Sequence, residues 1–589
     1  MRKLAVLTTV AATLATMLAA MIAAPPAGAG RRFASSMKVV TSRSAFGPLA
    51  RPAPGPTSQL IRQKQARGYL TVPGFAKPSG TAARAASPSA GVTPDTYIHR
   101  PHMVAGWTGV FDPSVTPPDT SGAAGPLSYV ELVNDRWGIF DRATKTLVAS
   151  GSLGDLIGTD PSDCISTPQV FWDPYTNAYY FSVLDYGVPD SGGNCPTGQE
   201  TLYYGWSKTS NPISGTSTDW CVEHTSSYGA AGEFPDFGRL GDTQDFGLIG
   251  VNVYYPDTAP PDQEQLRADV VAFPKPAPGD TATCPGSQTI STFQNLSDIG
   301  KWDPSTWTGG IPAFTPVPTV QTDPSSTGYV VSAAWNGRSG PFNPAGGPFL
   351  GNKLAVFTVT NNSGTPVLNP VPTVVTLRTS FLWPTNAPQR GNSLRLDTLD
   401  GRLTNAVSGR DGAHHVTTGA GVIWTQFAVR GGKGSAIRWF EINPVAGTVI
   451  QGSTLSSTTN WLFNGAIAPD RQVVADATGA VTTQLYGGSL VLGFNASSSS
   501  IYAQIHLASK IGVNPLHGGV TIKWSTGPEN DFSCHATSLC RWGDYAAASS
   551  DPNPSTTGHG HVWIANAWSA AGTDGSDVDW RTFIARVAP

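Results

Sequence analysis

Two acids stand in comparable settings near opposite ends of the chain. Asp119 lies in Thr116-Pro117-Pro118-Asp119-Thr120-Ser121-Gly122-Ala123-Ala124-Gly125-Pro126, and Asp544 in Arg541-Trp542-Gly543-Asp544-Tyr545. Brought together, two carboxylates could hold a cation or act as acid and base on a glycosidic bond. The plainer reading, preferred here, is that each ties a backbone turn among small residues. His559 and His561 would share one face of a strand, whereas the adjacent His414 and His415 would face opposite sides. No third ligand accompanies either pair, so surface or turn roles are expected. Asp574, Asp577 and Asp579 form an acidic, glycine-containing turn that could hold a structural calcium weakly, without the spacing of an EF-hand. No other cofactor is indicated. Nucleophile-elbow, P-loop and His-Glu-x-x-His motifs are absent, which argues against several common hydrolase classes.

The elements that must position these residues are short and turn-rich. Among 589 residues there are 65 Gly and 49 Pro, while charged residues make up only 13 %, so little helix is expected. Seventeen Trp supply core material and exclude a disordered polymer. Arg2 and Lys3, the apolar run Leu4 to Ala24 and Ala27-Gly28-Ala29 read as a cleaved secretion signal over residues 1–29. No membrane span is expected after cleavage. Residues 30–104, rich in Pro, Ala, Ser and Arg, read as a flexible linker or propeptide. From Arg31 to Arg100 eleven Lys/Arg face the single acid Asp95, so the folded body carries the acidic excess. Nothing resembles a nucleic-acid reader. Six cysteines in a secreted chain suggest disulfides. Cys534 and Cys540 could staple one loop. Local pairing would give Cys164–Cys195 and Cys221–Cys284, a connectivity the sequence leaves open.

From 105 to 589 a unit recurs: a lead-in of small residues, a turn often made by Asp-Pro, then a bulky strand. Examples are Thr167-Pro168-Gln169-Val170 with Asp173-Pro174, Phe234-Pro235-Asp236-Phe237-Gly238, Asn464-Gly465-Ala466 and Trp542-Gly543-Asp544 with Asp551-Pro552. Small residues suit strands crowding toward a central channel, and bulky ones suit packing of one sheet on the next. Seven units imply an all-β fold, a single β-propeller of seven blades, or six if two units share a sheet. Unit spacings of about 50 to 85 residues exceed compact propeller repeats and imply long insertions, as at Gly187 to Glu200 and Pro256 to Thr292. Trp580 to Val587 reads as the outer strand of the last blade. In a closed ring the first and last blades are neighbours, so the two chain ends should meet there.

The Pro117-to-Pro126 stretch, followed by Tyr129-Val130 and Asn134, resembles the opening motif of a group of large secreted bacterial proteins. Arg541-Trp542-Gly543-Asp544-Tyr545 with Asp551-Pro552 and Trp563 resembles their closing motif. These are sialidase-like β-propellers, mostly of uncharacterised function. The resemblance implies a propeller and secretion, and hands over no reaction. A sialidase-type site would need arginines to hold a carboxylate, a tyrosine nucleophile with a glutamate, and an acid. Arg395, Arg402, Arg410 and Arg541 could bind the carboxylate, and Tyr545, Glu233, Asp119 and Asp544 supply the rest, although repeated Ser-x-Asp-x-Gly-x-x-Trp boxes are missing. The leading expectation is therefore an extracellular or cell-wall-associated binding module for polysaccharide, cell wall or protein. The alternative is a glycoside hydrolase or lyase with its site at the channel mouth. Loop tryptophans such as Trp206, Trp220 and Trp302 could stack on sugar rings.

Overall fold

The computed structural model describes residues 37–46, 70–71, 100–160, 163–188, 200–225, 234–254, 265–296, 313–335, 351–412, 421–471, 488–555, 559–572 and 578–589. Glu233, Cys195, Trp302, His414, His415, Asp574 and Asp577 fall outside them, as do the signal sequence and most of the expected linker.

Seven antiparallel sheets form the blades of a β-propeller. Blade 1 holds Ser121–Ala124, Ser128–Val133, Arg136–Asp141 and Thr146–Ser152. Blade 2 holds Ile165–Asp173, Ala178–Asp185, Thr201–Ser207 and Trp220–His224. Blade 3 holds Phe234–Asp242, Phe246–Tyr254, Gln265–Pro274 and Thr289–Gln294. In blade 4, Phe314–Pro318, Gly328–Trp335 and Gly351–Asn362 are followed by Thr365–Leu368 and Thr373–Phe381, both paired to the third strand. Blade 5 holds Leu403–Gly409, Val422–Val429, Ala436–Asn443 and Thr448–Leu455, with Val320–Gln321 paired parallel to its inner strand. Blade 6 holds Trp461–Pro469, Ser489–Ser498, Ile501–Ile511 and His517–Trp524.

Blade 7 is shared between the chain ends. Ala547–Ser550, Val562–Ser569 and Trp580–Ala588 are completed by His102–Thr108 as the outer strand. Trp580–Ala588 is thus a third strand, not the outer one. Alternation alone cannot separate the two positions. Burial can: Trp580–Ala588 is covered almost throughout, while His102–Thr108 is exposed or half-buried. The stretch read as linker also contributes Lys38–Arg43 to the edge of blade 3 and Ala45–Phe46 to the edge of blade 2.

The repeat has a physical basis at both ends of each inner strand. At the front, a register shift interrupts the pairing with the second strand in blades 2 to 6, between Ser166 and Gln169, Asp236 and Arg239, Phe314 and Val317, Leu403 and Asn405, and Phe463 and Ala466. Thr167, Phe237 and Asn464 take positive φ at these bulges. Such a bulge bends the strand and re-aims a side chain. At the back, the Asp-Pro acids fix turns as expected, and some also tie blades together. Asp173 accepts from the N–H groups of Tyr175 and Thr176, and Lys275 bridges Asp173 and Asp242 at 2.7 and 2.8 Å. Asp551 takes both Arg142 Nη2 contacts at 2.6 and 2.7 Å and pairs with Arg586 at 2.9 Å. Between blades 7 and 1, Trp107, Tyr129 and Trp563 pack with ring centroids 5.4 to 6.5 Å apart. Trp206 and Trp220 are buried in blade 2 and face no solvent, so they cannot stack on a ligand.

Cys221–Cys284 and Cys534–Cys540 are disulfides, and Cys164 is also disulfide-bonded. Among the described residues no helix is long and apolar enough to cross a membrane.

Because one strand of blade 7 comes from the far end of the chain, its removal should open the ring. A chain starting at Gly109 should melt roughly 10 °C lower than one starting at Arg100 in scanning fluorimetry. Equal melting temperatures would contradict closure by His102–Thr108.

Candidate functional site

The front ends of the inner strands converge on one polar cluster, and Asp119 and Asp544 meet in it. Asp119 Oδ1 accepts the backbone N–H of Asp544 at 2.8 Å. Its Oδ2 accepts from Asn134 Nδ2 at 3.0 Å. That amide also donates to the Pro117 carbonyl at 2.8 Å, and the Asn134 N–H donates to the Pro118 carbonyl at 2.8 Å. The Pro-Pro-Asp turn is thereby clamped on both sides, and Asp119 holds a positive φ of 46°. Opposite it, Gly543 has φ 119°, a conformation that favours glycine, and its Cα faces Pro118, the Asp119 nitrogen and Asn464 Nδ2.

Arg541 joins the cluster through two acids. Its Nη2 donates to Asp544 Oδ1 at 2.7 Å and its Nη1 to Asp397 Oδ2 at 2.8 Å. Tyr545 lies one residue further on, with its hydroxyl 3.3 Å from the Pro168 carbonyl. Arg239 covers the Tyr545 ring at 4.2 Å and donates to the Thr404 carbonyl. Phe237 meets Tyr545 edge-on at 5.7 Å, and Arg402 lies over Phe237 at 4.4 Å. Arg402 also grips Asp400 with two hydrogen bonds of 2.8 and 2.6 Å.

The groups fall into two layers. Asp119, Asp544, Arg541, Arg239, Phe237 and Tyr545 are buried. Asp236, Asp397, Asp400 and Arg402 are half-buried and form the layer that meets solvent. Burial, reinforced by the neighbouring Asp544 charge, pushes the Asp119 carboxyl well above the usual range. Burial raises Asp544 to about 6, against the opposing pull of Arg541 and Arg402. Burial also lowers Arg239 to about 10 and raises the Tyr545 phenol well above its ordinary value. Burial and mutual proximity thus disfavour charge on both acids at once. Both are already committed to protein donors.

Of the arginines expected at the site, Arg402 and Arg541 arrive and two do not. Arg395 is exposed and donates to the Asn386 carbonyl at 2.9 Å. Arg410 is exposed just beyond the back end of an inner strand, where its N–H donates to Asp323. Arg239, Asp236, Asp397 and Asp400 were not anticipated. Arg239 stands one residue past the Phe237-Gly238 pair that ends the lead-in. Asp397 and Asp400 sit in a connection with no repeat pattern. His559 and His561 diverge, the first contacting Ser489 and the second Arg586. Behind Tyr545 and Arg239 lie cavities of about 50 and 120 Å³. These are below the usual size of a ligand chamber.

No family model matches the chain, and no curated protein matches it. Among solved structures it is similar to a Hadza microbial sialidase, at 10 % identity over 65 % of this chain and 66 % of that one, with a TM-score of 0.32. It is similar to a GH43_1 enzyme from Xanthomonas citri, at 11 % identity over 60 % and 87 %, TM-score 0.23. It is similar to the extracellular domains of Drosophila Semaphorin 1b, at 8 % identity over 82 % and 86 %, TM-score 0.32. Such distant likeness carries no chemistry.

Asp119→Asn tests the clamp. The amide can satisfy only one of the two donors that face it, so urea denaturation should show a loss of about 1–3 kcal/mol. An unchanged midpoint would contradict the assignment.

Proposed function

We propose that the protein is an extracellular binding module whose ligand docks on the front of the propeller, over the acid–arginine cluster, and that the ligand is a hydroxyl-rich polymer such as extracellular polysaccharide or cell-wall glycan. One observation carries this reading. A half-buried layer of Asp236, Asp397, Asp400 and Arg402 stands on a buried layer whose hydrogen bonds are internal. Half-exposed carboxylates beside a guanidinium present acceptors and donors together, which suits paired hydroxyl groups. The disulfides accord with an oxidising compartment.

The same arrangement weighs against hydrolysis. Asp119 accepts from two protein donors, Arg541 is held by two acids, and the Tyr545 phenol resists ionisation. The specific feature favouring a glycosidase is the raised Asp544, which could serve as an acid near neutral pH.

A glycan array probed with the secreted protein, followed by calorimetry on the best glycan, tests the proposal. Arg402→Ala and Asp400→Asn should each weaken binding about tenfold or more while leaving the melting temperature nearly unchanged. Absence of glycan binding would overturn the carbohydrate reading. Turnover in a fluorogenic glycoside panel, lost in folded Asp544→Asn, would overturn the binding-only reading.

A further inference from the structure

Next to the cluster lies a second group of acids with no role in it. Glu529 is 1 % exposed, and neither of its carboxylate oxygens makes a hydrogen bond of normal geometry, although the Asp531 carboxyl and the Ser569 hydroxyl lie against it. Asp531, two residues on, is also buried; its Oδ1 accepts from the Ser533 N–H at 2.9 Å and hydroxyl at 2.5 Å, while its Oδ2 has no partner. Asp579 adds a third negative charge, its Oδ2 accepting the Asn530 N–H at 2.7 Å. The wholly buried Thr116 hydroxyl faces Asp531 without a hydrogen bond of normal geometry. Ser569 lies beside Glu529 and donates to the Pro528 carbonyl at 2.9 Å.

Burial, then the charges of Asp531 and Asp579, push the Glu529 carboxyl well above its usual range. None of the leading influences on Glu529 or Asp531 is a lysine, arginine or histidine. Buried carboxylates without donors or a counter-charge are costly. A bare acid cluster would make a poor case for a ligand. Here the Glu529 oxygens and the wholly buried Thr116 hydroxyl, none in a hydrogen bond of normal geometry, face Asp531 together and suit a positive charge between them. We propose that Glu529 and Asp531, with the Thr116 hydroxyl beside them, hold a hard divalent cation of the calcium type, completed by water. Among the described residues no three His, Cys, Asp or Glu side chains group as a metal cage. The site rests instead on two carboxylates and neutral oxygens, an all-oxygen set that suits calcium and excludes softer metals.

The position gives the cation a purpose. Thr116 precedes Asp119 by three residues, and Glu529 and Asp531 precede the segment that carries Arg541 and Asp544. A cation here would join the same two stretches of chain that the Asp119–Asp544 hydrogen bond joins. It concerns stability of the ring and does not depend on what the front face binds.

The test uses full-length secreted protein stripped with EDTA. Calcium chloride at 1 mM should raise the melting temperature by about 3 °C or more. Terbium should bind with sensitised luminescence that calcium displaces, and Glu529→Gln and Thr116→Val should weaken both responses. No calcium shift and no terbium signal in the wild type would overturn the proposal, whether or not the variants fold. An undiminished calcium response in Glu529→Gln would overturn it as well. A third contrary result is a protein indifferent to calcium whose stability falls as pH rises above the ordinary glutamate range. That direction is the one expected if the raised Glu529 carboxyl simply keeps a proton in the folded state, and it would show that the pair shares a proton instead.

Discussion

The hydrogen bond from the Asp544 backbone to Asp119 is the joint on which the molecule turns. It connects residues 425 positions apart in sequence and lies where the first blade meets the last. A propeller made of blades that contact only their neighbours is an open row until those two are fastened. Here the fastening has two depths. At the rim, His102–Thr108 completes the sheet of blade 7. Near the axis, Asp119 holds Asp544, Asn134 holds Asp119, and Arg541 holds Asp544 from the other side. The axial joint uses an acid because its two oxygens accept from two donors at once; burial pushes that carboxyl up, and the Asp544 N–H, Arg541 and Asn134 only partly oppose the rise.

The same logic recurs around the ring in milder form. A wholly buried amide from the second strand of one blade reaches the bulged inner strand of the next. Asn134 accepts from Thr167 at 3.2 Å, Asn252 donates to Thr315 at 2.7 Å, and Gln426 donates to the Gly465 carbonyl at 2.6 Å. Asn566 donates to the Asn464 carbonyl at 3.0 Å, running back from blade 7 to blade 6. A bulge frees backbone groups from the ladder, and Asn134, Gln426 and Asn566 satisfy such groups, while Asn252 takes a side-chain hydroxyl. Polar residues at the axis are thus first a solution to a backbone problem. Asp236, Asp397, Asp400 and Arg402 form a half-buried layer in front of them.

Much of this was legible in the sequence because the repeat is written in residue types with clear physical meaning. Small residues crowd the inner strands, Asp-Pro fixes the back turns, and bulky residues pack between blades. That pattern implies seven blades, or six, and a meeting of the first and last blades, while leaving open whether Asp119 and Asp544 touch. It failed where partners are distant in sequence. Nothing in His102–Thr108 says that it pairs with Trp580–Ala588, and nothing in Lys38–Arg43 says that it lies on blade 3. Arg395 and Arg410 were credible only while their positions along the axis were unknown. Asn134 was visible as the end of a motif, but its hydrogen bonds to the Pro117-Pro118-Asp119 turn depend on the fold.

Amide hydrogen exchange at Asp544 tests the joint most directly. If its bond to Asp119 closes the ring, this N–H should exchange only with global unfolding, as slowly as the core amides of blades 2 and 3. Loss of the Asp119 carboxylate should then bring fast local exchange to Asp544 and to the amides around Gly109, while the distant blades stay protected. Rapid exchange of Asp544 in the unaltered protein, with blades 1 and 7 still protected, would contradict the account.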